Sequence, residues 1–327
     1  MAQPIDWSTA FTGAATPFTA DGSVDLAQFD RVISHLSNSG LGGIVVNAML
    51  SEGSLLSLAE RVSCVTHAVR RDKRPAIIAG VYGSNTRDAV EEARLVARAG
   101  ADGLLIWPNQ AFGGGTTDTD MIVKYYSAIH DASGLPLIVF RLPDSVAPEM
   151  GAEPLFSLAQ TPGVVAVKDS VADADFYTGR AAAFLTPNPP LKIMADNDVR
   201  LLTMLQRGAY GGMSMLAAIF PQAVADLVRL RNHAAASELQ NAIEPLASAL
   251  AADPVRDFRA RVKYLLACAG VITSADVRRP LLEPSAAEQD ALVHACNTTK
   301  NNLVRFYTKF PWATPSQDDD RRKIAAS

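Results

Sequence analysis

Eight short apolar segments, spaced along the first two thirds of the chain, are the sequence feature that most constrains its fold. Polar and amphipathic stretches separate them. Strands that are apolar along their whole length are typical of a parallel sheet covered by helices on both faces. The predicted strands are Phe11–Pro17, Gly43–Met49, Ala76–Val81, Gly103–Trp107, Leu135–Leu142, Val164–Asp169, Leu191–Ala195 and Gly211–Leu216.

The stretches between the strands carry helical periodicity and helix-start signals. In the first stretch, apolar residues recur with the spacing of one buried helix face: Leu26, Phe29, Val32, Ile33 and Leu36. The second opens with Ser57 and Glu60, a capping-box pair that satisfies free amide hydrogens at a helix start. The third begins near Thr86 and ends at Gly100, since glycine often closes a helix.

This alternation of strands and helices predicts a single α/β domain built as a (β/α)8 TIM barrel with extra C-terminal helices. An open doubly wound sheet is the alternative. Residues 1–220 are predicted to supply the barrel strands and crossover helices. Residues 221–313 are predicted to supply the last barrel helix and additional C-terminal helices packed on the barrel. The segment 314–327, with its acidic run, is predicted to be a mobile tail.

Composition and charge exclude several classes of protein. With 48% hydrophobic residues, 20% charged residues and a net charge of −4, the chain has a globular composition and lacks the basic footprint of a nucleic-acid-binding protein. Cys64, Cys268 and Cys296 are far apart, which favours a reducing compartment. The N-terminus does not resemble a signal peptide, and Pro221 breaks the uncharged stretch 208–225. The sequence therefore predicts a soluble cytoplasmic protein without a membrane segment.

Lys168 is the lysine whose position points to chemistry. The other seven lysines lie in polar turns, on helical faces, at a strand start or in the tail, where a solvated charge is expected. Lys168 ends the apolar run 163–167, so it would emerge with Ala166 at the C-terminal mouth of a barrel. Desolvation there favours the neutral amine, the form that attacks a carbonyl. The alternative is an ion pair of Lys168 with Asp169 or with a carboxylate from a neighbouring strand.

Several motifs, taken in order and spacing, resemble those of the dihydrodipicolinate synthase/N-acetylneuraminate lyase family. The segment 163–170, Gly-Val-Val-Ala-Val-Lys-Asp-Ser, resembles the sixth-strand lysine motif of that family. The other matching segments are Gly13–Phe18, Asp21–Asp25, Ser51–Glu52, Leu56–Ser57, Glu60–Arg61, Ala79–Val81, Gly208–Ser214 and Val277–Leu281. Together they cover nearly the whole chain.

The resemblance implies a lyase, either an aldolase or a dehydratase, that forms an imine between Lys168 and its substrate. The implied partner is a small molecule, pyruvate or another 2-oxo acid or an aldehyde, and no cofactor is implied. The protonated imine would serve as an electron sink while a carbon–carbon or carbon–oxygen bond breaks. Members of the family are usually tetramers, so a homo-oligomer, either a tetramer or a dimer, is expected.

The sequence departs from the family's pattern at the residues that move protons. The fifth strand ends in Phe140 where the family has a tyrosine, and a phenyl ring cannot donate, accept or carry a proton. Met49 and Leu50 replace two threonines at the end of the second strand, and Asp144 lies near the position of the synthase arginine. The chain is therefore predicted not to be a true dihydrodipicolinate synthase.

The pocket around the imine is predicted to be apolar and to suit a bulky or aromatic carbonyl compound as well as pyruvate. The predicted substrate-binding residues are Met49, Leu50, Ser51, Trp107, Phe140, Ser170 and Met213. Backbone N–H groups at Met49 and Leu50 could bind a carboxylate. The proton carrier stays open among a water molecule, a substrate group and three serines, Ser51, Ser170 and Ser214. Arg141 is predicted to point toward the helices because it alternates with Phe140.

Two other functions fit the sequence. In a metal-dependent barrel enzyme, Asp169, Asp196 and Asp198 at neighbouring strand ends could hold Mg²⁺ or Mn²⁺. The simpler interpretation is that Asp198 caps the following helix and Asp196 completes a turn. The third function is a non-catalytic homologue that binds a carbonyl or carboxylate ligand. No His-x-x-x-His or Cys-x-x-Cys spacing is present, so no zinc site is expected, and no metal is predicted.

Overall fold

Eight parallel strands form a closed barrel in the computed structural model of this chain, and β8 pairs with β1 to complete it. The structure describes residues 5–113, 118–148, 150–171 and 175–313. The strands are β1 (Ala10–Gly13), β2 (Gly43–Val46), β3 (Ala76–Val81), β4 (Gly103–Ile106), β5 (Leu137–Arg141), β6 (Val164–Asp169), β7 (Lys192–Ala195) and β8 (Gly211–Met213). The prediction of a (β/α)8 barrel is confirmed, and the open sheet is excluded.

Several strands are shorter than the apolar runs that predicted them. The predicted β1 extended to Pro17 and the predicted β8 to Leu216, whereas the strands end at Gly13 and Met213. Ala14, directly after β1, is fully buried although it lies outside the strand. Buried loop residues such as Ala14 are apolar too, so composition alone does not separate them from strand residues.

Alternation of side chains along β5 and β6 decides which residues enter the barrel. Phe140 and Lys168 are partners in the register of these strands, and Phe140 belongs to the interior cluster. The next pair, Arg141 and Asp169, therefore points outward. Strand residues of the interior cluster include Phe11, Val45, Ile78, Leu105, Ile138, Ala166, Met194 and Met213. This packing closes the barrel below the level of Lys168.

Helices cover the outside of the barrel. They are α1 (Leu26–Ser37), α2 (Leu58–Ala68), α3 (Thr86–Arg98), α4 (Thr119–Ser133), α5 (Ala152–Leu158), α6 (Leu201–Gln206) and α7 (Pro221–Arg229). The buried face of α1 is formed by Phe29, Val32, Ile33 and Leu36, as predicted. At the start of α2, the Ser57 side chain accepts from the Glu60 amide, and the Glu60 carboxylate accepts from the Ser57 amide. The predicted capping box is confirmed.

The crossover between β6 and β7 departs from the regular repeat. In the described part of this crossover the chain forms a 3₁₀ helix, Gly179–Leu185, in place of an α-helix. Pro187, Pro189 and Pro190 follow it directly. Proline removes an amide donor and clashes with the preceding helical turn, so this sequence cannot extend into a longer helix.

Three further helices follow α7, namely α8 (Ala236–Leu250), α9 (Phe258–Cys268) and α10 (Ala286–Lys309). The extra C-terminal helices are thus confirmed, and α8 packs against α10. The predicted boundary after residue 220 coincides with the start of α7 and stays a prediction. The predicted mobile tail, 314–327, lies outside the described residues. Within the described ranges, no helix has both the length and the apolar character needed to cross a membrane.

Candidate active site

Lys168 lies at the C-terminal end of β6 and lines a cavity of about 390 Å³ at the mouth of the barrel. Its side chain is only 13% exposed. The Nζ atom lies 3.8 Å from the centroid of the Phe140 ring and 2.5 Å from Oδ2 of Asp196. An ion pair and an open cavity therefore coexist at this lysine, whereas the sequence presented them as alternatives.

Asp196 reaches Lys168 from the first position after β7. The barrel register pairs Lys168 with Met194 and Asp169 with Ala195, so the end of β7 lies beside the end of β6. The hydroxyl of Ser170 donates a hydrogen bond to the same carboxylate oxygen that Lys168 contacts. One oxygen of Asp196 thus joins an amine and a hydroxyl, both of which line the cavity.

Asp198, two residues further along, is buried and binds the segment that follows β8. Its Oδ2 accepts from the amide of Leu216, at 2.9 Å, whereas Oδ1 has no hydrogen-bond partner among the described residues. The prediction that Asp198 caps α6 is wrong, because α6 has no side-chain cap and the Asp198 carboxylate binds the Leu216 amide. Burial raises the pKa of Asp198 to about 6, and the charge of Asp196 acts in the same direction.

The loop after β2 brings Met49 and Leu50 to the cavity. It begins at Asn47, whose φ of 57° lies in the left-handed region that only a minority of non-glycine residues adopt. A Cβ atom on Gly53 or Gly80 would lie 2.0 or 2.2 Å from the Asn47 carbonyl oxygen, so both positions require glycine. These contacts hold the loop backbone in place against β3.

The structure brings together five of the eight residues predicted from the sequence. Lys168, Met49, Leu50, Ser170 and Met213 line one cavity. Their functional roles stay predictions until substrate binding is measured.

The remaining three predicted residues do not line this cavity. Phe140 is buried beneath Lys168 and contacts its amine. Trp107 packs edge-on against Phe140, with ring centroids 5.5 Å apart. Ser51 is fully buried, and its hydroxyl has no hydrogen-bond partner within the described part of the chain. Phe140 and Trp107 thus support the site from below.

Several lining residues were missed by the sequence interpretation. Ala251, Val255 and Phe258 line the cavity although they belong to the end of α8, the following segment and the start of α9. Nothing local marks them as site residues, since their sequence pattern is that of packed helices. Other missed residues are Val45, Ala48, Leu142, Pro143, Val146 and Met215, which flank predicted site residues or strand ends.

The three carboxylates proposed as a metal site do not converge. Asp169 points away from the cavity, where its Oδ1 lies 3.0 Å from Nη1 of Arg141 and its Oδ2 accepts from Tyr177. Among the described residues, no group of three potential metal ligands is assembled. The predicted metal site of Asp169, Asp196 and Asp198 is therefore wrong, because these side chains do not meet at one point. Arg141 does point toward the helices, as predicted, with the Phe176 ring 3.7 Å from its guanidinium carbon.

Lys263 corrects the expectation that every lysine other than Lys168 is solvated. It is fully buried, with Nζ 2.5 Å from Oε1 of Glu52, and it donates to the carbonyl of Asp276 at 2.7 Å. Burial lowers the pKa of Lys263 to about 8, although the charge of Glu52 opposes this change. Lys263 does not line the Lys168 cavity.

Comparison with known proteins agrees with this geometry. Residues 6–299 match the sequence profile of the Dihydrodipicolinate synthetase family. A 4-hydroxy-tetrahydrodipicolinate synthase from Exiguobacterium sibiricum is 29% identical over 299 residues, which cover 89% of this chain and 97% of that protein. A second such synthase, from Streptomyces coelicolor, is 31% identical over 237 residues, or 71% of this chain and 75% of that protein.

Solved structures share the fold. A 4-hydroxy-tetrahydrodipicolinate synthase from Methylacidiphilum fumariolicum SolV superimposes with a TM-score of 0.80 at 23% identity, over 92% of this chain and 98% of its own. A monomeric dihydrodipicolinate synthase variant gives 0.80 at 20% identity, over 91% and 99%. The family match spans nearly the whole chain, including the barrel and the lysine at its mouth. The chain therefore belongs to the dihydrodipicolinate synthetase family and is a lyase of that family.

Proposed function

We propose that Lys168 forms an imine with a small carbonyl substrate, pyruvate or another 2-oxo acid or an aldehyde. The observation that carries this proposal is the position of its amine, which lines a cavity at the barrel mouth while most of the side chain is shielded from water. Barrel enzymes keep their chemistry at this end of the strands. A shielded amine can lose its proton and attack a carbonyl carbon.

The imine would then drive bond cleavage. A protonated imine withdraws electrons from the neighbouring carbon, so a carbon–carbon or carbon–oxygen bond can break with formation of an enamine. Both an aldolase and a dehydratase use this intermediate. Release of the product and hydrolysis of the imine would restore the free amine of Lys168.

The chemistry of the cavity walls favours a substrate with an apolar body. Met49, Leu50, Leu142, Met213 and Phe258 supply apolar surface. A volume of about 390 Å³ exceeds what pyruvate alone needs and falls in the range of small-molecule sites. A larger 2-oxo acid, with an aliphatic or aromatic side chain, fits this cavity better than a polar substrate does.

The described lining residues supply no side-chain clamp for a carboxylate. They include no arginine or histidine, and their one cation is Lys168, which becomes the imine. Within the described chain, the amides of Met49 and Leu50 donate no hydrogen bond to the protein, so both can serve a substrate carboxylate. Two features argue against activity as a true dihydrodipicolinate synthase. The described lining residues include no arginine, and Phe140 stands where the family has a tyrosine.

Borohydride trapping tests the proposal. The protein is incubated with borohydride and a panel of 2-oxo acids and aldehydes, and the adduct is located by intact-mass and peptide analysis. We expect a reduced adduct on Lys168 with at least one carbonyl compound, and none in Lys168→Met. Lys192→Met is the matched control, because that lysine begins β7 at the opposite end of the barrel. A panel without any adduct on Lys168 in the wild-type chain would reject the proposed function.

We also propose that the chain forms a homo-oligomer, a tetramer or a dimer, as most members of the family do. A solved monomeric variant with the same fold shows that the fold does not require an oligomer, so the oligomeric state has to be measured. Size-exclusion chromatography with light scattering should give a mass of two or four times 34.8 kDa. A monomer mass at all concentrations tested would contradict this expectation. The cytoplasmic location stays a prediction.

A further inference from the structure

The amine of Lys168 has one potential proton acceptor and one inert neighbour among the described residues. The acceptor is Oδ2 of Asp196, at 2.5 Å, and the neighbour is the Phe140 ring, at 3.8 Å. A phenyl ring cannot exchange a proton. Among the described residues, Asp196 is therefore the group through which a proton can leave or return to Nζ.

The hydroxyl groups near the cavity differ in their connection to this pair. Ser170 donates to the same oxygen of Asp196 that Lys168 contacts. Ser214 also lines the cavity, but its hydroxyl accepts from the amide of Ala217. Ser51 does not line the cavity. Of the three serines left open by the sequence, Ser170 is the one linked to Lys168.

Asp196 is the more exposed of the two carboxylates that line the cavity. The charged groups among its described lining residues are Lys168, Asp196 and Asp198. The side chain of Asp196 is 19% exposed and accessible to solvent, whereas Asp198 is buried. Hydrogen-bond contact with the reacting atom is the geometric requirement for a general acid or base, and Asp196 meets it.

Resting on the imine chemistry proposed above, we propose that Asp196 is the acid–base residue of this site, with Ser170 holding its carboxylate toward Lys168. Asp196 would occupy the functional role for which Phe140 is chemically unsuited. It is a catalytic residue in the strict sense, since it contacts the nitrogen that reacts.

The steps balance without any further reactant. Asp196 takes one proton from the ammonium of Lys168, and the freed lone pair forms the nitrogen–carbon bond as the carbonyl π pair moves to oxygen. Asp196 gives its proton to that oxygen and takes one from the nitrogen, which leaves a neutral carbinolamine. It then protonates the hydroxyl group, which departs as water while the nitrogen lone pair forms the protonated imine. The carboxylate is regenerated.

The rate of borohydride trapping on Lys168 tests this role in Asp196→Asn. As an acid–base residue, Asp196 should be worth about 10²-fold or more, so trapping should slow by that factor in the variant. If Asp196 only held Lys168 in its charged form, its removal would favour the neutral amine, and trapping would become faster. The two roles thus predict changes of opposite sign. A rate equal to or above that of the wild type, with the adduct on Lys168, would overturn the proposal.

Two further variants guard against a trivial loss of structure. Asp196→Ala leaves room for formate, which should restore trapping in a concentration-dependent way; absence of rescue in a folded variant counts against the proposal. Asp196→Glu keeps the carboxylate and should retain part of the rate. If the wild type forms the adduct on Lys168 and the Asp196 variants form it at the same rate, only this inference is rejected. Absence of an adduct on Lys168 in the wild type would reject the proposed function as well.

Discussion

The carboxylate of Glu52, in the loop after β2, lies 2.5 Å from the amine of Lys263 in α9, and both side chains are fully buried. Glu52 also accepts a hydrogen bond from the backbone amide of Arg278, at 2.8 Å. These contacts attach the C-terminal region to the loop that carries Met49 and Leu50. The ion pair therefore links the helices outside the barrel to one wall of the candidate active site.

Breaking this pair should be costly. Lys263→Met leaves Glu52 buried without its counter-charge, and removal of one partner of a buried pair costs about 3–5 kcal/mol. The double variant Lys263→Met/Glu52→Gln removes both charges and should recover most of that loss. Urea unfolding of the two single variants and the double variant gives the coupling free energy.

The exposed pair of Lys309 and Glu238 is the matched control for this cycle. Their side chains are 60% and 45% exposed, so Lys309→Met should cost less than about 1 kcal/mol. Equal losses in Lys263→Met and Lys309→Met would contradict the view that burial sets the energy of the Glu52–Lys263 pair.

Arg141 should affect stability and not substrate binding. Its guanidinium pairs with Asp169 on the outer face of the barrel, and Arg141→Met would leave that carboxylate uncompensated, at a cost of about 3–5 kcal/mol. We expect a lower unfolding free energy and an unchanged KM, measured at low temperature where the variant is folded. Arg180→Met, at an exposed pair with Glu153, is the control. A raised KM with unchanged stability would mean that Arg141 clamps the substrate after all.

Asp198 should make stability depend on pH in the direction opposite to most acidic residues. Burial raises its pKa in the folded chain to about 6, above the value of an exposed carboxyl. The folded state therefore holds this proton more tightly than the unfolded state. The resulting stability is present below pH ~4 and is lost as the pH rises through about 6.

The comparison with Asp198→Asn isolates this effect from other titrating groups. Relative to the variant, the wild type should lose about 3 kcal/mol or less of unfolding free energy between pH 4 and pH 7, since one pKa unit corresponds to 1.36 kcal/mol. Chemical unfolding of both chains across this range measures the difference. A difference that does not change with pH would show that Asp198 titrates normally.

Phe258 should limit the length of the substrate. It lines the cavity from the start of α9, so Phe258→Ala enlarges the cavity that Lys168 also lines. The ratio of kcat/KM for a long-chain 2-oxo acid to that for pyruvate should rise about tenfold, because each methylene group that fits is worth about 1–3 kcal/mol. Phe156→Ala, which removes a ring packed on Phe184 outside the barrel, should leave the ratio unchanged. A constant ratio in Phe258→Ala would remove Phe258 from the substrate site.

The sequence by itself determined the barrel and the place of Lys168 at its mouth. Apolar runs alternating with amphipathic stretches specify parallel strands and covering helices, because burial on both faces needs apolar side chains at every position. The same rule identified Lys168, which ends the apolar run 163–167. A charged side chain at the end of a buried strand has to face a cavity or pair with an opposite charge. Period-two alternation also separated Phe140 from Arg141 correctly.

Only the tertiary structure decided which groups meet. The sequence placed three carboxylates, Asp196 among them, at neighbouring strand ends. Such carboxylates can form a metal site, a turn or an ion pair. The barrel register directs Asp169 outward and brings Asp196 to Lys168. Phe258 and the Glu52–Lys263 pair join segments more than 80 residues apart in the chain. Periodicity predicts which face of a strand or helix is apolar, because the direction of each side chain follows local backbone geometry. It does not report the partner, because contacts between distant segments depend on how the whole chain packs.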